Sequence, residues 1–147
     1  MKIRRFILLA ATPFALMSLA TPAAAAVINV VKTASCGCCG KWVEHMKKAG
    51  HDVRVTNVDD VTPTARRMGV PDDLRSCHTS SVGGYAIEGH VPAADIARLL
   101  KEKPKAAGIA VPGMVAGSPG MEMGDNKPSY QTIIFTRDGK RKVFAQH

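Results

Sequence analysis

Aromatic side chains are scarce in this chain, with one Trp, two Tyr and four Phe among 147 residues. Beyond residue 26 it also lacks any apolar run long enough to cross a bilayer. No helix dense in Lys and Arg is evident, nor any long internal repeat. Without a basic helix and with so few aromatic platforms, the sequence speaks against nucleic acid as a partner. The length leaves room for one domain.

What is present begins with the N-terminus. Lys2, Arg4 and Arg5 form a positive region, Phe6 to Leu19 an apolar one, and Ala24-Ala25-Ala26 an A-x-A cleavage site. Residues 1–26 therefore read as a secretory signal peptide, with an apolar stretch too short to span a membrane. Arg4-Arg5 leaves general secretion and twin-arginine export both open. The expected mature protein is residues 27–147, exported to the periplasm and free of the membrane once the signal is removed. Cleavage takes away three cations and no acid, so the formal charge falls from +8 to +5.

Val27 to Thr33 reads as a strand buried on both faces, and Gly40 to Ala49 as an amphipathic helix stopped by Gly50. A second strand around Val53 to Val58 follows, then a short helix with Thr62 as N-cap and Pro63 at its first position. Cys77 onward predicts a hairpin turning at Gly83-Gly84, and Pro92 to Pro104 brackets another helix. This β-α-β-α-β-β-α order predicts an α/β, thioredoxin-like domain, a small mixed sheet flanked by helices. Residues 105–129 form a long Gly/Pro/Met loop without periodicity, and a C-terminal hairpin turns at Asp138-Gly139.

Three of the four cysteines lie in Cys36-Gly37-Cys38-Cys39-Gly40, between the first strand and its helix. The free N–H groups and dipole of a helix start favour thiolate, the form that binds metals or attacks disulfides. Cys36 and Cys39 alone have the spacing of a thioredoxin-type redox pair. Cys38 adds a third thiol that a redox pair has no evident use for. An oxidising compartment ordinarily means structural disulfides, yet the crowding allows one or two strained bridges at most.

The remaining soft donors widen the choice. Cys thiolate and Met thioether select Cu(I), and imidazole accepts either copper oxidation state. Cys77 and His78 fall where a redox thioredoxin carries its cis-proline, and no proline occurs between Asp72 and Val91. That replaces a substrate-docking feature by two ligand types and favours a metal. Plainer roles exist for several of these residues. His78 can be an ordinary strand histidine, His90 a helix cap, and Met114, Met121 and Met123 packing rather than ligands or a lid. Met46 and Met68 read as core, His45 and His51 as solvated, and His147 as a loose terminus. Zinc in a four-thiolate site is a further possibility, weakened by methionines that zinc does not seek.

Cys36-Gly-Cys-Cys39, Cys77-His-Thr79, YAIEGHVP over Tyr85 to Pro92 and GIAVPGMVAGSPGM over Gly108 to Met121 together resemble the CopG-like copper-resistance family. The resemblance runs over nearly all of residues 27–147. It implies a thioredoxin-like periplasmic domain that binds copper through Cys36, Cys38, Cys39 and Cys77, as a multinuclear Cu(I) cluster. His78, His90, Met114, Met121 and Met123 join the candidate metal ligands. Expected partners are copper ions and other periplasmic copper-handling proteins. A copper oxidoreductase cycling Cu(I) and Cu(II), and a thiol–disulfide oxidoreductase using Cys36 and Cys39, stand as alternatives to simple binding.

Overall fold

The computed structural model describes residues 25–147, so nearly all of the expected signal peptide lies outside the described residues. The elements run β1 (Val27–Lys32), α1 (Gly37–Lys48), β2 (Asp52–Asn57), α2 (Thr62–Arg67), a 3₁₀ turn (Asp72–Leu74), β3 (His78–Val82), β4 (Tyr85–Glu88), α3 (Ala93–Glu102), β5 (Gly108–Ala110), β6 (Gln131–Phe135) and β7 (Arg141–Gln146). All seven strands form one mixed sheet in the order β2-β1-β3-β4-β5-β6-β7. Among the described residues no helix is long and apolar enough to cross a membrane.

Register divides the sheet into two faces. Val30 pairs with Ser80, Ser80 with Ile87, Ile87 with Ile109, and Ile109 with Ile134. These residues line one face, where Trp42, Val43 and Met46 of α1 and Ile96 and Leu99 of α3 pack on them. Ala86, Ala110 and Phe135 line the other, against Ala65 of α2, Val70 and Leu74. Each large apolar side chain buried here contributes about 1.5–3 kcal/mol. Trp42, fully buried, also donates its indole N–H to Val91 O at 2.9 Å.

Several expectations need correction. β1 is not buried on both faces: Ile28, Val30 and Lys32 are buried, whereas Val27 and Asn29 are exposed. The small α2 layer covers the middle of the sheet and does not reach that edge. α1 starts at Gly37 rather than near Gly40, so Cys38 and Cys39 belong to its first turn. The first turn of α2 is capped by Asp60, whose carboxylate accepts the Thr62 N–H at 2.8 Å, and Val61 rather than Thr62 is the flanking residue.

The stretch read as loop contains β5. Gly108 is required in it, since a Cβ there would lie 2.1 Å from Ala86 O. His51 is buried and accepts the Ala26 N–H at 3.4 Å. His45 keeps its expected access to solvent while pairing with Glu122 at 2.7 Å. His147 is no loose end: its ring stacks on Tyr130 and bonds Asp95 at 2.9 Å.

The two outer strands differ. β2 is regular and open along its length, with Val55 43% exposed. β7 carries a bulge, because Thr132 pairs with Ala145 and Ile133 with Val143, leaving Phe144 without a partner on β6. Arg98 fills that gap by donating to Phe144 O at 2.9 Å while its guanidinium lies over the Phe144 ring.

Candidate metal centre

The end of β1 and the start of β3 are neighbours in the sheet, with Lys32 opposite His78. The cysteine turn leaving β1 therefore meets Cys77, the residue before β3. Cys36 takes the N-cap position of α1, in extended backbone at φ −73° and ψ 95°. Cys38 and Cys39 follow in the first turn, where backbone N–H groups lack helical partners. No acidic side chain occupies that turn.

The side-chain sulfurs of Cys36, Cys38, Cys39 and Cys77 all lie within 4.8 Å of one another. Cys36 Sγ is 3.6 Å from Cys38 Sγ, Cys38 Sγ is 3.9 Å from Cys77 Sγ, and Cys39 Sγ is 3.4 Å from Cys77 Sγ. Cys36 and Cys39 are joined by a disulfide with Cα atoms 5.4 Å apart, while Cys38 and Cys77 are free. A disulfide sulfur is a poor metal ligand, so the full four-thiolate set exists only after two-electron reduction of that bond.

A second donor group overlaps the first. Cys77, His78 and His90 bring ligand atoms within 4.8 Å of one another. His90 Nδ1 lies 2.8 Å from Pro119 O, an atom that only accepts, so Nδ1 carries the proton. Its Nε2 lone pair then faces Cys77 Sγ at 3.1 Å, as a metal-binding imidazole would present it. His78 Nδ1 is 3.6 Å from the same sulfur, and its Nε2 is buried with no hydrogen-bond partner among the described residues. The His78 ring sits 4.6 Å from Trp42 and edge-on to His90 at 5.1 Å.

Electrostatics favour neutral donors. Burial, reinforced by His90 and Lys32, holds His78 down at about 3. Burial also lowers His90, against the opposing bond to Pro119. Both imidazoles are thus unprotonated at neutral pH, the form that binds metals. Burial, together with the neighbouring Cys38, pushes the Cys77 thiol up to about 11. A cation entering the pocket would have to displace that proton, which links binding to proton release.

The long loop is fastened to this pocket at both of its Pro-Gly-Met tripeptides. Beside the first, Gly113 N donates to Arg75 O at 3.1 Å, and the Ser76 hydroxyl donates to Gly113 O. At the second, Gly120 presses on the first turns of α1: a Cβ there would lie 2.7 Å from Trp42 N and 2.8 Å from Cys38 O. Its φ of +86° also suits glycine. Glu122 accepts from Gly120 N and from His45 of α1, closing the clamp. Met114 and Met123 are 59% and 63% exposed, and Met121 is half-buried.

Sequence reasoning missed the support beneath Cys77. Glu88 is fully buried and accepts from Ser76 N at 2.7 Å and from the Thr79 hydroxyl at 2.6 Å. Burial outweighs those bonds and raises its carboxyl to about 6. The available signal was an acidic residue in a short apolar strand, Ala86-Ile87-Glu88.

A family profile described as "Protein of unknown function, DUF411" matches residues 74–121. That span takes in Cys77, His78, His90, Met114 and Met121 but neither the cysteine turn nor Met123. No curated protein matches. Among solved structures, one described as copper resistance protein CopG, form 2, is 43% identical with a TM-score of 0.80, over 84% of this chain and 99% of that one. Another, described as form 1 of the same protein, is 45% identical with a TM-score of 0.78, over 82% and 96%. The chain belongs to the CopG copper resistance family. Membership and the sulfur cluster together tie it to copper, and the mixed α/β architecture is the one it shares with CopG.

Proposed function

We propose that this protein is an exported, periplasmic copper-binding protein serving copper tolerance. Reduced Cys36, Cys38, Cys39 and Cys77 hold several Cu(I) ions as one thiolate cluster. The observation that carries the reading is the gathering of four sulfurs within 4.8 Å, beside the unprotonated Nε2 of His90, 3.1 Å from Cys77 Sγ. Cu(I) accepts two or three soft ligands, and bridging thiolates let four sulfurs serve several ions. His78 and His90 complete the inner wall, and Met114, Met121 and Met123 capture or shield the metal from the loop side. The signal peptide over residues 1–26 delivers the domain, residues 27–147, to the periplasm, where other copper-handling proteins exchange metal with it. The fold is read as thioredoxin-like because β1, β2, β3 and β4 stand in the order β2-β1-β3-β4, with α1 and α3 on one face and α2 on the other.

Anaerobic Cu(I) titration of the reduced protein against a chelator, followed by native mass spectrometry, tests this. More than one Cu(I) per chain is expected. A stop at one ion would replace the cluster by a mononuclear carrier site.

The Cys36–Cys39 disulfide favours a second reading, in which the same site changes the oxidation state of copper. The dithiol gives up two electrons and two protons to become the disulfide, and two Cu(II) ions take the electrons to become two Cu(I). A thiol–disulfide oxidoreductase acting on other proteins uses the same couple, but Cys77 and His78 stand where its substrate would dock.

A further inference from the structure

The end of the sheet opposite the cysteines holds a groove that the copper reading leaves unused. It lies between the segment linking α3 to β5 and the β6–β7 turn. One cavity of about 310 Å³ has Ala106, Ile134 and Thr136 along its floor and Lys105, Arg141 and Lys142 on its walls. An adjoining cavity of about 610 Å³ shares Lys105, Ala106, Thr136 and Lys140 and adds Arg137. Five cations thus line the groove, against one acid, Asp138. Lys140 is paired with Asp138 at 2.8 Å and Arg141 with Asp73. Lys105, Arg137 and Lys142 have no carboxylate partner among the described residues.

We propose that this groove binds an extended acidic peptide segment of a partner protein. Unpaired cations over an apolar floor call for an anion with an apolar body. Lys140, just before β7, and Lys142 within it are two residues apart, about 7 Å in extended backbone. Acidic side chains at alternate positions of an extended peptide repeat at the same interval. The two cavities adjoin through Lys105, Ala106, Thr136 and Lys140, and their combined size suits a stretch of chain better than a compact anion. The groove is concave, so a flat lipid surface would touch its rims and leave Ala106 and Ile134 uncovered. Since β3 begins and β4 ends at the cysteine pocket while the β6–β7 turn lies at the other end of the sheet, docking leaves the sulfur cluster free. The inference therefore stands whether or not the copper reading does.

The test uses the whole exported chain and a synthetic peptide alternating Asp or Glu with Leu. Backbone amide shifts are recorded during titration, and the dissociation constant is measured by calorimetry at low and high salt. Shifts confined to residues 104–107 and 134–142, with the cysteine turn unmoved, are expected. Lys105→Glu combined with Lys142→Glu should weaken binding by about tenfold or more and flatten its salt dependence. These side chains are exposed, and an unchanged thermal melt checks that the variant folds. Equal affinity in the double variant, or shifts spread over the whole surface, would overturn the proposal. Displacement of the peptide by inorganic phosphate at similar concentration would assign the groove to a small anion. Tight binding to phosphatidylglycerol vesicles, with indifference to the peptide, would assign it to a membrane surface.

Discussion

On one side of the sulfur pocket stand Cys39, His78 and His90, all fully buried and held by the sheet, α1 and the Pro119 carbonyl. The loop fastened beside the pocket through its backbone carries Met114 and Met123, both more than half exposed. The first set is fixed before any metal arrives, as a site with demanding geometry needs. The second keeps three free torsions per side chain and adapts to whatever it meets. Affinity should therefore reside in the fixed wall, and rate of entry and release in the adaptable one.

The comparison is broken most severely at Cys77, the one residue that belongs to both donor groups. Cys36→Ser, Cys38→Ser, Cys39→Ser and Cys77→Ser should each lower the number of Cu(I) ions bound, with Cys77→Ser the worst. Native mass spectrometry after anaerobic loading gives the count. Should Cys38→Ser keep full copper while Cys36→Ser and Cys39→Ser abolish disulfide exchange, the site is a redox pair instead.

His90→Ala comes next. It removes the proposed imidazole ligand and strands the Pro119 carbonyl, so the pocket and the loop each lose a contact. Copper affinity should fall by about 10–100-fold, read by chelator competition. A change in melting temperature with unaltered affinity would reduce His90 to a strut for the loop.

Gly120→Ala separates the walls without touching a ligand. Its Cβ would run into the backbone of Trp42 and Cys38, and the positive φ adds strain, for a cost of about 1–3 kcal/mol. Copper should dissociate faster from this variant while the ion count stays unchanged. If dissociation holds its wild-type rate, the loop does not cover the metal.

The smallest effect is expected from Met114→Leu, Met121→Leu and Met123→Leu combined. Each swap conserves volume and apolarity and should cost less than about 1 kcal/mol in stability. Stopped-flow loading with Cu(I) should slow even though the folded protein is little changed. Equal loading and transfer rates would leave these methionines with no part in copper handling.

The fixed wall was largely legible in the sequence and the loop was not. Strand and helix periods located β1, α1, β2 and α3 to within a few residues, because each buries a regular set of apolar side chains. Three clustered cysteines, and Cys77-His78 heading a strand, pointed to the pocket. β5 escaped notice because three residues are too few to show a period. The loop's order comes from single backbone bonds at Gly113 and Gly120, which leave no pattern along the chain. His51 and His147 were misjudged for a related reason: each is held by a partner far away in sequence, Ala26 in one case and Asp95 in the other. Spacing singled out Cys36 and Cys39 as a redox pair, and the disulfide joins those two, with Cys38 beside them left free.

The bulge at Phe144 and the arginine over it bear on self-association. A strand with a missing rung and a filled carbonyl is a poor template for another chain, and Arg141 and Lys142 add charge along it. β2 carries Asp52 and Arg54 but has neither bulge nor filled carbonyl, and among the described residues it offers its regular backbone and Val55 to the solvent. The sheet can therefore be lengthened at one border only. Two copies meeting border to border would consume each other's sole adhesive strand, and growth would end at the pair rather than run on into a fibre.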